Sequence, residues 1–309
     1  MDKTINSVKI FKILLIVYLC IFIVAGVFAA IFGVSLDINF RGGTRISYSY
    51  TGDIKNDDVA DVAKGVLDAK FTVSQNKSLA GDTKTVTINL VGKKSLPAET
   101  QENLTTALTE KFPDNKIELY DSNSVSPSVA GAFFVKSLVA VLLTAVLVVV
   151  YIGIRFRKIG GVSAAITALC ALVLDLLITF AVCIIFRLQI DSNYIAVVLT
   201  ILGYSLNDTI VVYDRVRENK KLYPALTVRD NMNMSIRGVL TRNVVTSVTT
   251  ILAVITIIVV AEIYGLTSLR TFAIPMAFGL LSGCMTSLFV AEPIWILWRE
   301  HKDKKAVSK

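Results

Sequence analysis

Six stretches of this 309-residue chain are apolar almost without interruption: 11–32, 131–154, 162–186, 193–213, 244–261 and 272–298. Runs of about 20 such residues are long enough to cross the hydrocarbon core as helix. The first follows Lys3, Lys9 and Lys12; it is longer than a signal-peptide core and no A-x-A-like cleavage site closes it, so it is expected to stay as an anchor. Between the first and second stretches the pattern changes period. GTRISYSY (43–50) alternates as a half-buried strand, 57–69 places Val59, Val62, Ala63, Val66 and Leu67 at helical spacing, and KFTVSQ (70–75) and TKTVTINLV (83–91) read as strands. Residues 98–112 set Leu104, Ala107, Leu108 and Phe112 on one helical face, and KIELYDSNSV (116–125) closes as a strand. Strand–helix–strand–strand–helix–strand is the ferredoxin-like order. The expected fold class is an α-helical polytopic membrane protein of six transmembrane helices with a small α+β ferredoxin-like extracytoplasmic domain. Its segments are 1–33 (N-terminal tail and first helix), 34–130 (outer domain), 131–298 (five-helix membrane region) and 299–309 (basic tail).

Composition agrees: 54% of residues are hydrophobic. Charge then sets orientation, because Lys and Arg concentrate on the cytoplasmic side. The N-terminus, the second-to-third connection (Arg155, Arg157, Lys158), the fourth-to-fifth loop (Arg215, Arg217, Lys220, Lys221, Arg229, Arg237) and the tail (Arg299, Lys302, Lys304, Lys305, Lys309) are basic. The alternate loops hold little beyond Arg187 and Arg270, so both termini are expected in the cytoplasm. The formal charge of +8 divides into −2 for 34–130 and +10 for the rest. Basicity therefore reports topology and attraction to anionic lipid, with no nucleic-acid footprint. All four cysteines fall in spans, so the outer domain must build a core without disulfides, and the lone histidine, His301, leaves no His-based metal site. GKKS at 92–95 echoes a phosphate loop but lacks the upstream glycine and falls on the wrong side for ATP.

Two acids interrupt the apolar pattern. Asp175 stands near the middle of ALVLDLLITF in the third span, and Asp208 in GYSLNDTIVV of the fourth. An ionised Asp at the bilayer centre costs about 2.5–3.5 kcal/mol on insertion scales, so such residues turn toward a partner, water or a proton. Around Asp208, Tyr204 and Ser205 share its face, and Asn207 and Thr209 flank it. The fifth span opens TRNVVTSVTT, a stripe of Arg242, Thr246, Thr249 and Thr250 widened by Asn243 and Ser247. The antiparallel fourth and fifth spans would bring Asp208 and Arg242 into the same half of the membrane. Desolvation and a neighbouring guanidinium act in opposite senses on a carboxyl proton, so an Asp that meets and then loses an Arg would release a proton in one conformation and bind it in another. The same residues have plainer readings: Arg242 as a snorkelling boundary charge, Asp175 as a neutral hydrogen-bonding acid, and the Ser and Thr hydroxyls as interhelical glue. Gly279 and Gly283, extended by Ser287, and the small face of Ala164, Ala168 and Ala171 indicate close helix packing; Pro275 and Pro293 are candidate bends.

GYSLNDTIVVYDRVREN (203–219), followed by LTRNVVTSVTTILAV (240–254), resembles the signature of the SecF family of the bacterial Sec protein-export machinery. NFRGGT (39–44), SPSVAGAF from Ser126, YIGIRFRK (151–158) and the spacing of the spans resemble the same family, so the likeness covers essentially the whole chain. It implies half of an RND-like twelve-helix assembly, completed by a SecD-like subunit. It further implies use of the proton-motive force to assist preproteins leaving the SecYEG channel after SecA-driven translocation. The implied proton relay is Asp208, Arg242 and Asp175, the last in the acidic position of a third-span His-Asp motif. This chain departs from the pattern at Leu174, where the family usually has His, at Asn39 for Asp, and at Ser126 and Ala130 for Gly.

The expected activity is thus proton-coupled protein export without covalent catalysis, since no nucleotide loop, nucleophile triad or metal cluster stands in the sequence. No cofactor is expected beyond the coupling proton, although Asp208, Asn207 and Thr209 offer oxygens that would also hold sodium. An RND-type small-molecule efflux subunit is the alternative within the same architecture, but the single outer segment is small for a substrate pocket. A non-transporting scaffold of a membrane channel is the other.

Overall fold

A computed structural model describes residues 7–67, 69, 71–77, 84–91 and 96–307; Lys3, Lys309 and the 92–95 run lie outside them. Helix α1 (Ser7–Phe32) leads through Leu36 into a short helix α2 (Ile38–Arg41) and then the outer domain. That domain comprises β1 (Gly43–Tyr50), α3 (Asn56–Val66), β2 (Phe71–Lys77), β3 (Lys84–Val91), α4 (Ala98–Lys111) and β4 (Glu118–Val125). The sheet order is β2-β3-β1-β4 with every neighbouring pair antiparallel, the ferredoxin-like arrangement read from the chain. Alternation decides which face is dry. Ile46, Tyr48 and Tyr50 of β1 and Val86, Ile88 and Leu90 of β3 point the same way, onto Val59 and Ala63 of α3 and Leu104 and Leu108 of α4. The 57–69 helix is shorter than expected: α3 ends at Val66, and Leu67 turns extended yet still packs into this core.

The chain enters and leaves the outer domain at one point. Gly42 has φ of +72°, and a Cβ there would lie 2.9 Å from the Pro127 backbone. Phe40 packs its ring against Phe133 and Phe134, with centroids 5.3 and 6.3 Å away. NFRGGT and SPSVAGAF are therefore two halves of one joint. Beside it, the buried Asp37 accepts from Arg45, from Asn39 Nδ2 at 2.7 Å and from Gln189 Nε2 at 3.2 Å. The Leu36–Ile190 bridge ties the same segment to the loop ahead of the fourth span.

The membrane region continues with α5 (Pro127–Arg155), α6 (Gly161–Ile185), α7 (Ser192–Leu222), α8 (Val228–Tyr264), α9 (Thr267–Phe289) and α10 (Ala291–Val307). Among the described residues, six helical stretches are long and apolar enough to cross a membrane, the sixth running through α9 into α10. The expected fourth-to-fifth loop is much shorter than the hydropathy pattern indicates. α7 and α8 run on well past their apolar windows, and Arg215, Arg217, Lys220, Lys221, Arg229 and Arg237 all lie on helix. These extensions are amphipathic: Val216 and Asn219 of α7 pack against Asn231, Met232, Ser235 and Ile236 of α8, so only one face is apolar and a hydropathy window misses them. Thr227 caps α8 through the Asp230 amide. The sixth span breaks at Val290, four residues before Ile294 and three before Pro293, whose ring conflicts with a helical Phe289 carbonyl. Pro275, by contrast, sits inside a continuous α9. Outward faces of α1 and α5, including Ile16, Leu19, Ile23, Leu142, Leu143 and Leu147, are exposed and apolar, as a lipid-facing surface must be.

Candidate functional site

Close approach of α6, α7 and α9 builds the site. α9 carries Gly279 and Gly283 on the face turned to α7. A Cβ at Gly283 would lie 3.0 Å from Ser205 Cβ, and one at Gly279 would collide with Ile201 and Thr179. With no side chain there, backbones come near enough for short polar side chains to meet.

Asp175 is fully buried at this meeting point. Ser205 Oγ of α7 donates to its Oδ2 at 2.6 Å, Ser282 Oγ of α9 to its Oδ1 at 2.6 Å, and Thr286 Oγ1 reaches both oxygens at 2.8 and 3.0 Å. Tyr18 of α1 lies 3.4 Å from Ser282. Hydroxyl dipoles thus supply what water or a cation would otherwise give a carboxylate. Leu174, the departure noted beside Asp175, packs into an apolar cluster with Tyr18 and Ile178.

Asp208 is 2% exposed and more sparsely held: Ser247 Oγ of α8 donates at 3.4 Å, and Asn243 Nδ2 reaches its backbone carbonyl at 3.4 Å. Arg242 lies within electrostatic range of Asp208, but the two form no ion pair; its side chain is exposed on α8, as are Thr246 and Thr249. Thr246 returns its hydroxyl to the Arg242 carbonyl at 2.8 Å. The polar residues around Asp208 therefore divide among several tasks. Ser205 serves Asp175. Tyr204 donates to Thr250 Oγ1 at 3.1 Å, tying α7 to α8. Thr209 donates to Ser287 Oγ, which donates to the Ser205 carbonyl, both at 3.1 Å, and Asn207 is exposed. Ser247 alone among the predicted set touches the Asp208 carboxylate.

Three contributors are not read from the sequence pattern. Ser282 and Thr286 stand at i and i+4 beside the glycines of α9, a hydroxyl stripe that resembles packing residues until Asp175 is placed against it. Glu292, at the start of α10, is fully buried inside what reads as the end of the sixth span.

The profile of the family described as "Protein export membrane protein SecD/SecF, C-terminal" matches residues 104–301. The chain is 34% identical to the protein translocase subunit SecF of Alicyclobacillus acidocaldarius, covering 92% of this chain and 89% of that one, and 31% identical to SecF of Borreliella burgdorferi over 95% and 97%. It is 30% identical to the protein translocase subunit SecDF of Bacillus subtilis, of which it spans 35%. Among solved structures, the crystal structure of SecDF from Thermus thermophilus superposes with a TM-score of 0.80 at 25% identity, covering 97% of this chain and 39% of that one. The fold is accordingly half of an RND-like helix bundle. On these matches and this architecture, the chain belongs to the SecF family of multi-pass protein-export membrane subunits.

Proposed function

We propose that this chain is the SecF subunit of a protein translocase. With a SecD-like partner it uses the proton-motive force to assist preproteins through SecYEG after SecA has driven them in. Asp208 binds and releases the coupling proton, and Arg242 governs when it does so. The observation carrying this reading is the state of that pair: a buried carboxylate with one weak hydroxyl contact, and an exposed guanidinium that interacts with it electrostatically but forms no ion pair with it. Such a carboxyl can gain a proton while Arg242 is held off and lose it when Arg242 closes in. One charge moved across 100 mV supplies about 2.3 kcal/mol per proton, enough to bias a conformational change.

A partner is supported by the α8 surface. Arg242, Thr246 and Thr249 are exposed along a membrane helix, where lipid would leave the guanidinium unsolvated. The fused SecDF relatives carry further chain in one polypeptide, which supports a SecD-like subunit as the cover. The basic ends of α5, α7 and α10 and the basic start of α8 support a cytoplasmic position for both termini. Asp175, enclosed by hydroxyls, acts as a supporting polar centre that fixes α6, α7 and α9 around Asp208.

The test is preprotein completion in inverted vesicles with and without a proton gradient, comparing wild type with Asp208→Asn and Arg242→Ala. Loss of the gradient-dependent increment in both is expected. If both keep it, the chain assists export only as a scaffold and the relay assignment fails. A sodium gradient that replaces the proton gradient would reassign the coupling ion.

A further inference from the structure

Glu292 has no solvent exposure, and beyond its own backbone amide neither carboxylate oxygen meets a donor among the described residues. Asp175 is equally enclosed but is held by three hydroxyls. An acid buried without such donors is costly, so its site must be completed by something other than the chain's own side chains. The neighbours on the same face of α10 share the deficit. Trp295 Nε1 and Arg299 Nε, at i+3 and i+7, are buried and unpartnered, as is Asn219 Oδ1 on α7. Orphaned donors and acceptors along one helix face are what a file of buried water satisfies. This face runs from Arg299, whose guanidinium lies against Gly160 at the α5–α6 corner, up to Glu292. Beyond it, Glu292 interacts electrostatically with Asp208 and Tyr213 of α7.

We propose that Glu292 is a second proton-carrying carboxyl, exchanging protons between Asp208 and the cytoplasmic solution through water along the inner face of α10. This rests on the reading of Asp208 as the coupling acid. In the release step the Asp208 O–H bond breaks, the proton passes through water to form an O–H bond on Glu292, and Glu292 then yields it to cytoplasmic water. The ionisable groups around the path are few. Asp208 and Tyr213 of α7 interact electrostatically with Glu292, and Cys170 of α6 with Tyr213; Cys284 of α9 and Arg242 of α8 act on Asp208; Tyr18 of α1 belongs to the Asp175 cage; and Arg299 lies on α10 itself.

The experiment uses inverted vesicles holding the full chain with its partner, so that the outer solution sets the cytoplasmic-side pH. Glu292→Gln is expected to slow gradient-driven translocation about tenfold or more and to remove one ionisation step from its dependence on that pH. Glu292→Asp keeps the step and restores part of the rate. Asp208→Asn is inactive at every pH. A Glu292→Gln protein with the wild-type rate and pH profile, beside an inactive Asp208→Asn, overturns the Glu292 relay alone; activity of Asp208→Asn at the wild-type level overturns both. If Glu292→Gln does not assemble, infrared difference spectra of wild type and Glu292→Asp decide. A protonated-carboxyl band that responds to cytoplasmic-side pH and differs between the two supports the relay, and identical spectra overturn it.

Discussion

Asp175 and Asp208 are two solutions to one problem at the scale of single residues. The first is surrounded by hydroxyl donors from two helices; the second has a single long contact and a guanidinium nearby. The first should therefore matter for stability and the second for coupling. Replacing Asp175 with Leu strands Ser205, Ser282 and Thr286 without their acceptor, at about 1–3 kcal/mol for each buried polar group left unsatisfied. Thermal unfolding in mild detergent should show a clear loss for Asp175→Leu and a smaller one for Asp175→Asn, which keeps an acceptor oxygen. Both acids are legible in the sequence because a charge in an apolar run is conspicuous. Their partners are less so: a Ser or Thr in a membrane helix fits packing and hydrogen bonding equally well, and only the helix placement tells which. Glu292 also lies within the sixth apolar stretch, but six residues before its end and close to the polar tail, where a charge gives less contrast.

Among the elements, α9 does most to shape the site, through what it omits. Gly283→Leu should push Ser205 off Asp175 and separate α7 from α9. Overpacking of this kind costs about 1–3 kcal/mol, read as a lowered unfolding temperature together with loss of gradient-dependent export. The glycine spacing is visible in the chain, but the helix it admits is not. The outer domain is the most legible part, because period-2 alternation in β1 and β3 fixes the dry face and the pairing register, and the succession of strands and helices gives the sheet order. The least legible elements are the extensions of α7 and α8 and the break at Val290. The extensions bury one stripe only, and the break follows from a single proline whose effect depends on whether neighbouring helices hold the turn; Pro275 leaves α9 continuous.

For the whole molecule, the outer domain and the membrane bundle meet at the Asp37 cluster, where α2, β1 and the segment ahead of α7 converge. α7 carries Asp208, so this cluster links the outer domain to the helix that holds the proposed proton site. Arg45→Ala removes a charge-assisted hydrogen bond of about 1.5–3 kcal/mol. Hydrogen exchange on the full chain should then rise around 35–42 and 187–191 with the β1–β3 amides still protected, and gradient-dependent export should fall. Unchanged exchange at both segments would show that the cluster does not couple them.

The Gly42–Pro127 contact has a mechanical corollary. Because β1 and β4 are adjacent antiparallel strands whose inner ends leave from the same spot, a tug on the far rim of the sheet loads both covalent tethers side by side, and neither strand is peeled from the other. The lobe should accordingly swing as a rigid paddle on a two-stranded hinge, delivering its stroke to α1 and α5 together.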